Sequence, residues 1–192
     1  MVDYSHKHGV KNGIFHMKIK ILRPALPSRR RTEPPTGIVM HATAGGTLSG
    51  AIETLRQRGL SYHYIIDKDG TVTKCCPIAN IAFHSGNSYG PKEAVANVSR
   101  TQDKAANFIA KCSVNPYTIG ISFVNWDNGK DPFTPAQEQS ARDLISELKQ
   151  SIPTLTFITT HARVSPRRKV DPKGYDIDKL AADTGLKSWK PA

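Results

Sequence analysis

The apolar residues of this chain come in short runs, and that excludes most architectures. The longest stretches, such as residues 37–44 and 119–124, fall far below the roughly 18 to 20 residues that a membrane-spanning helix needs. Ile38-Val39-Met40 is a continuous apolar run of strand formers, which suits a strand covered on both faces. Residues 118–124 read as another such strand, and 155–160 as a third that ends at His161. Elsewhere the spacing turns helical. Leu48, Ile52 and Leu55 recur on one face and stop at Gly59, and Ala105, Phe108, Ile109 and Cys112 share a face over 99–112. Thr134-Pro135-Ala136-Gln137 is a capping box with proline at the first helical position, leading into Ala141, Leu144, Ile145 and Leu148. Residues 176–182 read as a last short helix. Residues 62–67 and 71–75 flank Lys68-Asp69-Gly70, a hairpin turn in which Asp-Gly supplies positive φ. Strands alternating with helices around one hairpin imply an α/β fold with a mixed central β-sheet and helices on both faces.

With 192 residues and 38% hydrophobic content the chain can bury one sizeable core, so a single domain is expected. Residues 1–35 stand apart as a basic, histidine-containing N-terminal arm. They hold His6, His8, His16 and Arg29-Arg30-Arg31 and end in Pro34-Pro35. Residues 1–13 lack an apolar run followed by a small-residue cleavage site, so the expectation is a chain made in the cytoplasm without a signal peptide. Cys75, Cys76 and Cys112 form neither a disulfide framework nor a metal knuckle and are expected as free or buried thiols, a bridge from Cys112 being the alternative. Twenty-seven basic against sixteen acidic residues leave a net charge of +11. Such a field attracts polyanions without selecting among nucleic acid, anionic lipid and cell-envelope polymers, and it also fits a merely solvated surface.

Two histidines carry the strongest chemical signal. His41 and His161 each follow an apolar strand directly, and in such sheets ligands bind beyond the carboxyl ends of strands. Asp171, on the Pro/Gly-rich turn 169–174, is near His161 in sequence. Two imidazoles and a carboxylate make a catalytic zinc set with a fourth position left open. By spacing alone the alternative is a pair of histidines satisfying strand ends.

The segments 38–46, 62–70, 82–86, 117–122 and 161–166, followed by Lys169 and Asp171, occur in an order that resembles the type 2 N-acetylmuramoyl-L-alanine amidases. That family includes bacterial amidases, phage amidase-lysozymes and animal peptidoglycan recognition proteins. The resemblance covers roughly residues 37–182 and implies that 36–192 is a zinc amidase catalytic domain. It implies one Zn2+ held by His41, His161 and Asp171, with Tyr62 and Lys169 as catalytic groups and His84 at the rim of the substrate groove. It implies cleavage of the amide between the lactyl group of N-acetylmuramic acid and the L-alanine of the stem peptide, with bacterial peptidoglycan as partner. Ser122 stands where many relatives carry a glutamate base, and a serine cannot take the proton of water unaided at neutral pH. The expected role is a phage endolysin that acts on the cell wall. The alternatives are a cytoplasmic muropeptide-recycling amidase and a non-catalytic peptidoglycan-binding protein. A nucleic-acid or polymerase partner stays open on charge alone.

Overall fold

The structure, a computed structural model, describes residues 17–91 and 112–191. In chain order its elements are β1 (Ile19–Ile21), β2 (Ser28–Arg30), β3 (Gly37–Ala42), α1 (Leu48–Arg58), β4 (Tyr64–Ile66), β5 (Val72–Lys74), β6 (Asn80–Ala82), β7 (Asn87–Ser88) and β8 (Cys112–Ser113). There follow a 3-10 turn (Asn115–Tyr117), β9 (Thr118–Phe123), α2 (Pro135–Ser151), β10 (Phe157–Thr160), α3 (His161–Val164), α4 (Ile177–Thr184) and β11 (Lys187–Ser188). The helix expected over 99–112 lies outside the described residues except at Cys112, which stands in β8, and the histidines at 6, 8 and 16 lie outside them too.

Seven strands form one mixed sheet in the order β1-β5-β4-β9-β3-β10-β11. Only the β4–β5 hairpin pairs antiparallel within it, as the Asp-Gly turn requires. Gly70 sits at φ 81, and a Cβ there would meet the Ala136 carbonyl oxygen at 2.9 Å, so both backbone and space demand glycine. Strands β4, β9, β3 and β10 run parallel and deliver their carboxyl ends to one edge.

Because side chains alternate across a strand, the sheet has two different faces. Ile38, Met40, Tyr64, Ile66, Ile119, Ile121 and Phe123 point to one side, where Ala141, Leu144, Ile145 and Leu148 of α2 and Ile177, Leu180 and Ala181 of α4 close the main core. Helix α2 starts as its sequence dictates: the Thr134 hydroxyl accepts from Gln137 N, and the Gln137 side chain returns to Thr134 N. The opposite face splits into two smaller apolar clusters, one built with Leu55 of α1 and one around Val39, Phe157 and Trp189. Between them His41, His63, Ser122 and Thr118 are buried without exposed surface.

The stretch read as an arm differs in its second half. Residues 19–21 pair with β5 at the sheet edge, residues 28–30 pair with β6, and Leu26 is buried. Arg31 folds inward too, donating to the carbonyls of Ile78, Pro116 and Thr118. Cys75 and Cys76 are free, buried thiols, as expected; the Cys112 side chain lies outside the description.

Candidate metal centre

His41 is the fifth residue of β3, paired in register with Ser122 of β9. His161 follows the last residue of β10 and opens α3, whose N-cap Thr160 accepts from Arg163 N. Asp171 lies on the next turn, which is tied back to that short helix by a 2.9 Å bond from Ala162 N to the Asp171 carbonyl. Parallel pairing of β3 with β10 therefore brings His41 beside the distant His161, and the turn that follows adds Asp171. His41 Nδ1 is 3.3 Å and His161 Nδ1 3.0 Å from the Asp171 carboxylate. One donor atom from each of the three side chains lies within 4.8 Å of the others.

These side chains fit a metal ion. Donor bonds of 2.0–2.2 Å in a tetrahedron put ligand atoms roughly 3.3–3.6 Å apart, close to the 3.3 and 3.0 Å between the two imidazole nitrogens and the carboxylate. His41 Nδ1 is buried and has no hydrogen-bond partner among the described residues. An orphaned buried acceptor is costly unless something binds it, and a cation is what such a lone pair binds. Burial, followed by the proximity of His161, pushes His41 down to about 4, so the ring is neutral as a ligand must be. Burial alone would raise Asp171, but its contacts with His161 and His41 outweigh that and hold the carboxyl well below the usual range. The set is two imidazoles and one carboxylate.

Tyr62 is half-buried, its ring 4.9 Å from that of His41. Burial, and then the Asp171 charge, push its phenol upward, so it remains a hydrogen-bond donor. Ser122 lies beside that phenol, yet its buried hydroxyl meets no partner in hydrogen-bond geometry. Lys169 is exposed on the turn carrying Asp171, where its N–H bonds the Ser165 carbonyl at 3.0 Å. Its charge helps to lower His41.

His84, expected at the rim of the substrate groove, is largely buried, its residue only 8% exposed. Nε2 is 3.3 Å from Thr118 Oγ1. Nδ1 is 3.0 Å from His41 Nε2 and 2.8 Å from Ser85 Oγ. Burial first, then His41, hold it well below its ordinary value. Two other residues went unread in the sequence. Asp127, at φ 55, accepts from Lys173 N at 2.6 Å and so clips the loop after β9 to the Asp171 turn; an Asp-Asn-Gly turn signal was there to be found. His63 receives the Gly120 N–H on Nδ1 at 3.0 Å, and its Nε2 faces Asn80 O at 3.1 Å.

Comparison with known proteins supplies the family. The sequence profile described as N-acetylmuramoyl-L-alanine amidase matches residues 31–174. The 1,6-anhydro-N-acetylmuramyl-L-alanine amidase AmpD of Haemophilus influenzae is 29% identical over 121 residues, 62% of this chain. The match spans only 55% of that relative's own length. In fold, the N-acetylmuramoyl-L-alanine amidase LysC of Clostridium intestinale is similar with a TM-score of 0.65 at 23% identity, over 90% of this chain and 100% of that one. AmiD of E. coli, solved with anhydro-N-acetylmuramic acid-L-Ala-D-gamma-Glu-L-Lys, gives a TM-score of 0.62 at 21% identity, over 88% of this chain and 62% of that one.

Proposed function

The chain belongs to the N-acetylmuramoyl-L-alanine amidase family, and from that premise we propose that it is a zinc enzyme that hydrolyses the amide joining the N-acetylmuramic acid lactyl group to the L-alanine of a stem peptide. The observation that carries the reading is the convergence of His41, His161 and Asp171 around an orphaned, buried imidazole nitrogen. When bound, one Zn2+ would supply Lewis-acid polarisation of the scissile carbonyl and lower the pKa of water to about 7.

The chain's own groups do the rest. Tyr62, kept protonated, donates to the oxygen that becomes negative as water adds, and the Lys169 ammonium adds a counter-charge from the turn above. Ser122 takes no proton, since a buried hydroxyl has no basicity at neutral pH. The stem peptide departs with a free amine, and no serine or cysteine need act as nucleophile.

Within this activity we favour an endolysin made in the host cytoplasm and acting on cell-wall peptidoglycan. The charge of +11 supports it by favouring an anionic envelope. No helix among the described residues is long and apolar enough to cross a membrane. A recycling amidase is the second reading, favoured by the similarity to AmpD. Rates on intact sacculi and on soluble anhydro-muropeptides test the choice: an endolysin prefers sacculi, and a recycling enzyme the soluble substrate. A purely binding protein would release no amine from either.

A further inference from the structure

We propose that His84, anchored by Thr118, is a positioning residue that fixes the tautomer and ring orientation of His41 and so aims the His41 Nδ1 lone pair at the metal position. The inference rests on the zinc reading above and follows from counting protons along a chain of heavy atoms.

Thr118 Oγ1 lies 2.8 Å from the Val114 carbonyl oxygen. That oxygen can only accept, so the single hydroxyl proton is committed there. Thr118 Oγ1 is left as an acceptor, and the His84 Nε2 at 3.3 Å carries the proton between them. A neutral imidazole has one N–H, so His84 Nδ1 is an acceptor. Its single lone pair is shared between the Ser85 hydroxyl at 2.8 Å and His41 Nε2 at 3.0 Å. The proton of that second contact must sit on His41 Nε2. His41 is then the Nε2–H tautomer, with its lone pair on Nδ1, the atom without a hydrogen-bond partner 3.3 Å from Asp171.

The surroundings hold this ring in place. Gly120 leaves room for it: a Cβ there would meet His84 Cγ at 2.6 Å. Ser85 N donates to Asn115 Oδ1 at 2.9 Å and pins the loop that carries it. The His41 and His84 rings stand edge to face, 85° apart, which directs one Nε2 at the other Nδ1. A histidine that merely filled the core would need none of this directionality. Outer partners of this kind orient metal ligands, and their loss typically weakens metal affinity 10–100-fold.

The test is zinc affinity of the full chain, measured by competition with a chromophoric chelator. His84→Leu should bind zinc 10–100-fold more weakly. His84→Asn, whose amide oxygen can accept from His41 Nε2–H, should recover most of that loss, and Thr118→Val should fall between. Nitrogen-15 spectra of the zinc-loaded wild type should show His41 bound through Nδ1 and protonated at Nε2. A folded His84→Leu variant with wild-type zinc affinity overturns the proposal, as does a His41 bound through Nε2. Should His84→Leu fail to fold, the Thr118→Val affinity and the wild-type spectrum decide. Failure of the wild type to take up zinc removes the zinc reading itself, and this inference with it, and is distinguishable because it needs no variant.

Discussion

Gly120→Ala tests the packing beneath the candidate centre, because two effects of opposite sign compete there. Glycine inside a strand is ordinarily destabilising by roughly 0.5–1 kcal/mol relative to alanine, so propensity predicts a more stable protein. The structure predicts the reverse. A Cβ on Gly120 would lie 2.6 Å from Cγ, 2.8 Å from Cδ2 and 3.0 Å from Nδ1 of His84, whereas carbon atoms pack at about 3.5–4.0 Å. Strand β9 cannot yield, since it is paired to β3 on one side and β4 on the other. The ring must therefore withdraw by roughly 1 Å. Overpacking of this kind costs about 1–3 kcal/mol, and retreat also strains contacts to Thr118 and His41 worth about 1 kcal/mol each. The expected net loss is about 2–4 kcal/mol. Urea denaturation reads it as a lower midpoint at unchanged m. Gly45→Ala, where the new Cβ has nothing within 4 Å, is the control and should stay within about 0.5 kcal/mol. A Gly120→Ala variant as stable as the wild type, or more so, would show that the His84 ring does not occupy this space.

Tyr62→Phe and Lys169→Ala should each lower turnover, by roughly 10²–10³-fold for the phenol, with zinc content unchanged; wild-type turnover in both would remove them from the chemistry. His63, fully buried, is pushed down to about 4 by burial, with Arg31 adding to the effect. Its unfolded value is near 6.5, so the unfolded chain binds the extra proton. Stability is then full above pH 6.5 and is lost as pH falls toward 4, by up to roughly 3 kcal/mol. Melting scans of wild type and His63→Gln across that window should show a shallower slope in the variant, and equal slopes would contradict the assignment. Raising salt to several hundred millimolar shortens the Debye length from tens of ångströms to a few, so binding to sacculi should weaken far more than cleavage of a small soluble muropeptide. Neutralising Arg29 and Arg30, both exposed, should act in the same direction; equal salt sensitivity on both substrates would rule out steering.

Much of this centre was legible because it obeys local rules. His41 and His161 end apolar runs whose parallel pairing brings them together, and Asp171 sits on a turn announced by proline and glycine. The hairpin and α2 carried their own signals in Asp69-Gly70 and in the Thr134 capping box. What stayed hidden depends on partners distant in the chain. The burial of His84 needs the missing side chain of Gly120, which no periodicity announces. Strand β1 is three residues long at the sheet edge, with Ile19 and Ile21 both exposed, so it shows no buried face to detect. Arg31 looked like its two exposed neighbours, but the carbonyls of Pro116 and Thr118 draw it inside.

The most direct test of the account measures zinc and chemistry on the same preparations: metal content by mass spectrometry, and free amine released from purified sacculi, for the wild type, Asp171→Ala and His161→Ala. The account predicts one zinc per chain and amine release for the wild type, and loss of both in each variant with helical content retained, because the ligands stand at strand ends and on a turn outside the main core. Amine release by a chelator-stripped wild type at the full rate, or by either variant, would contradict it.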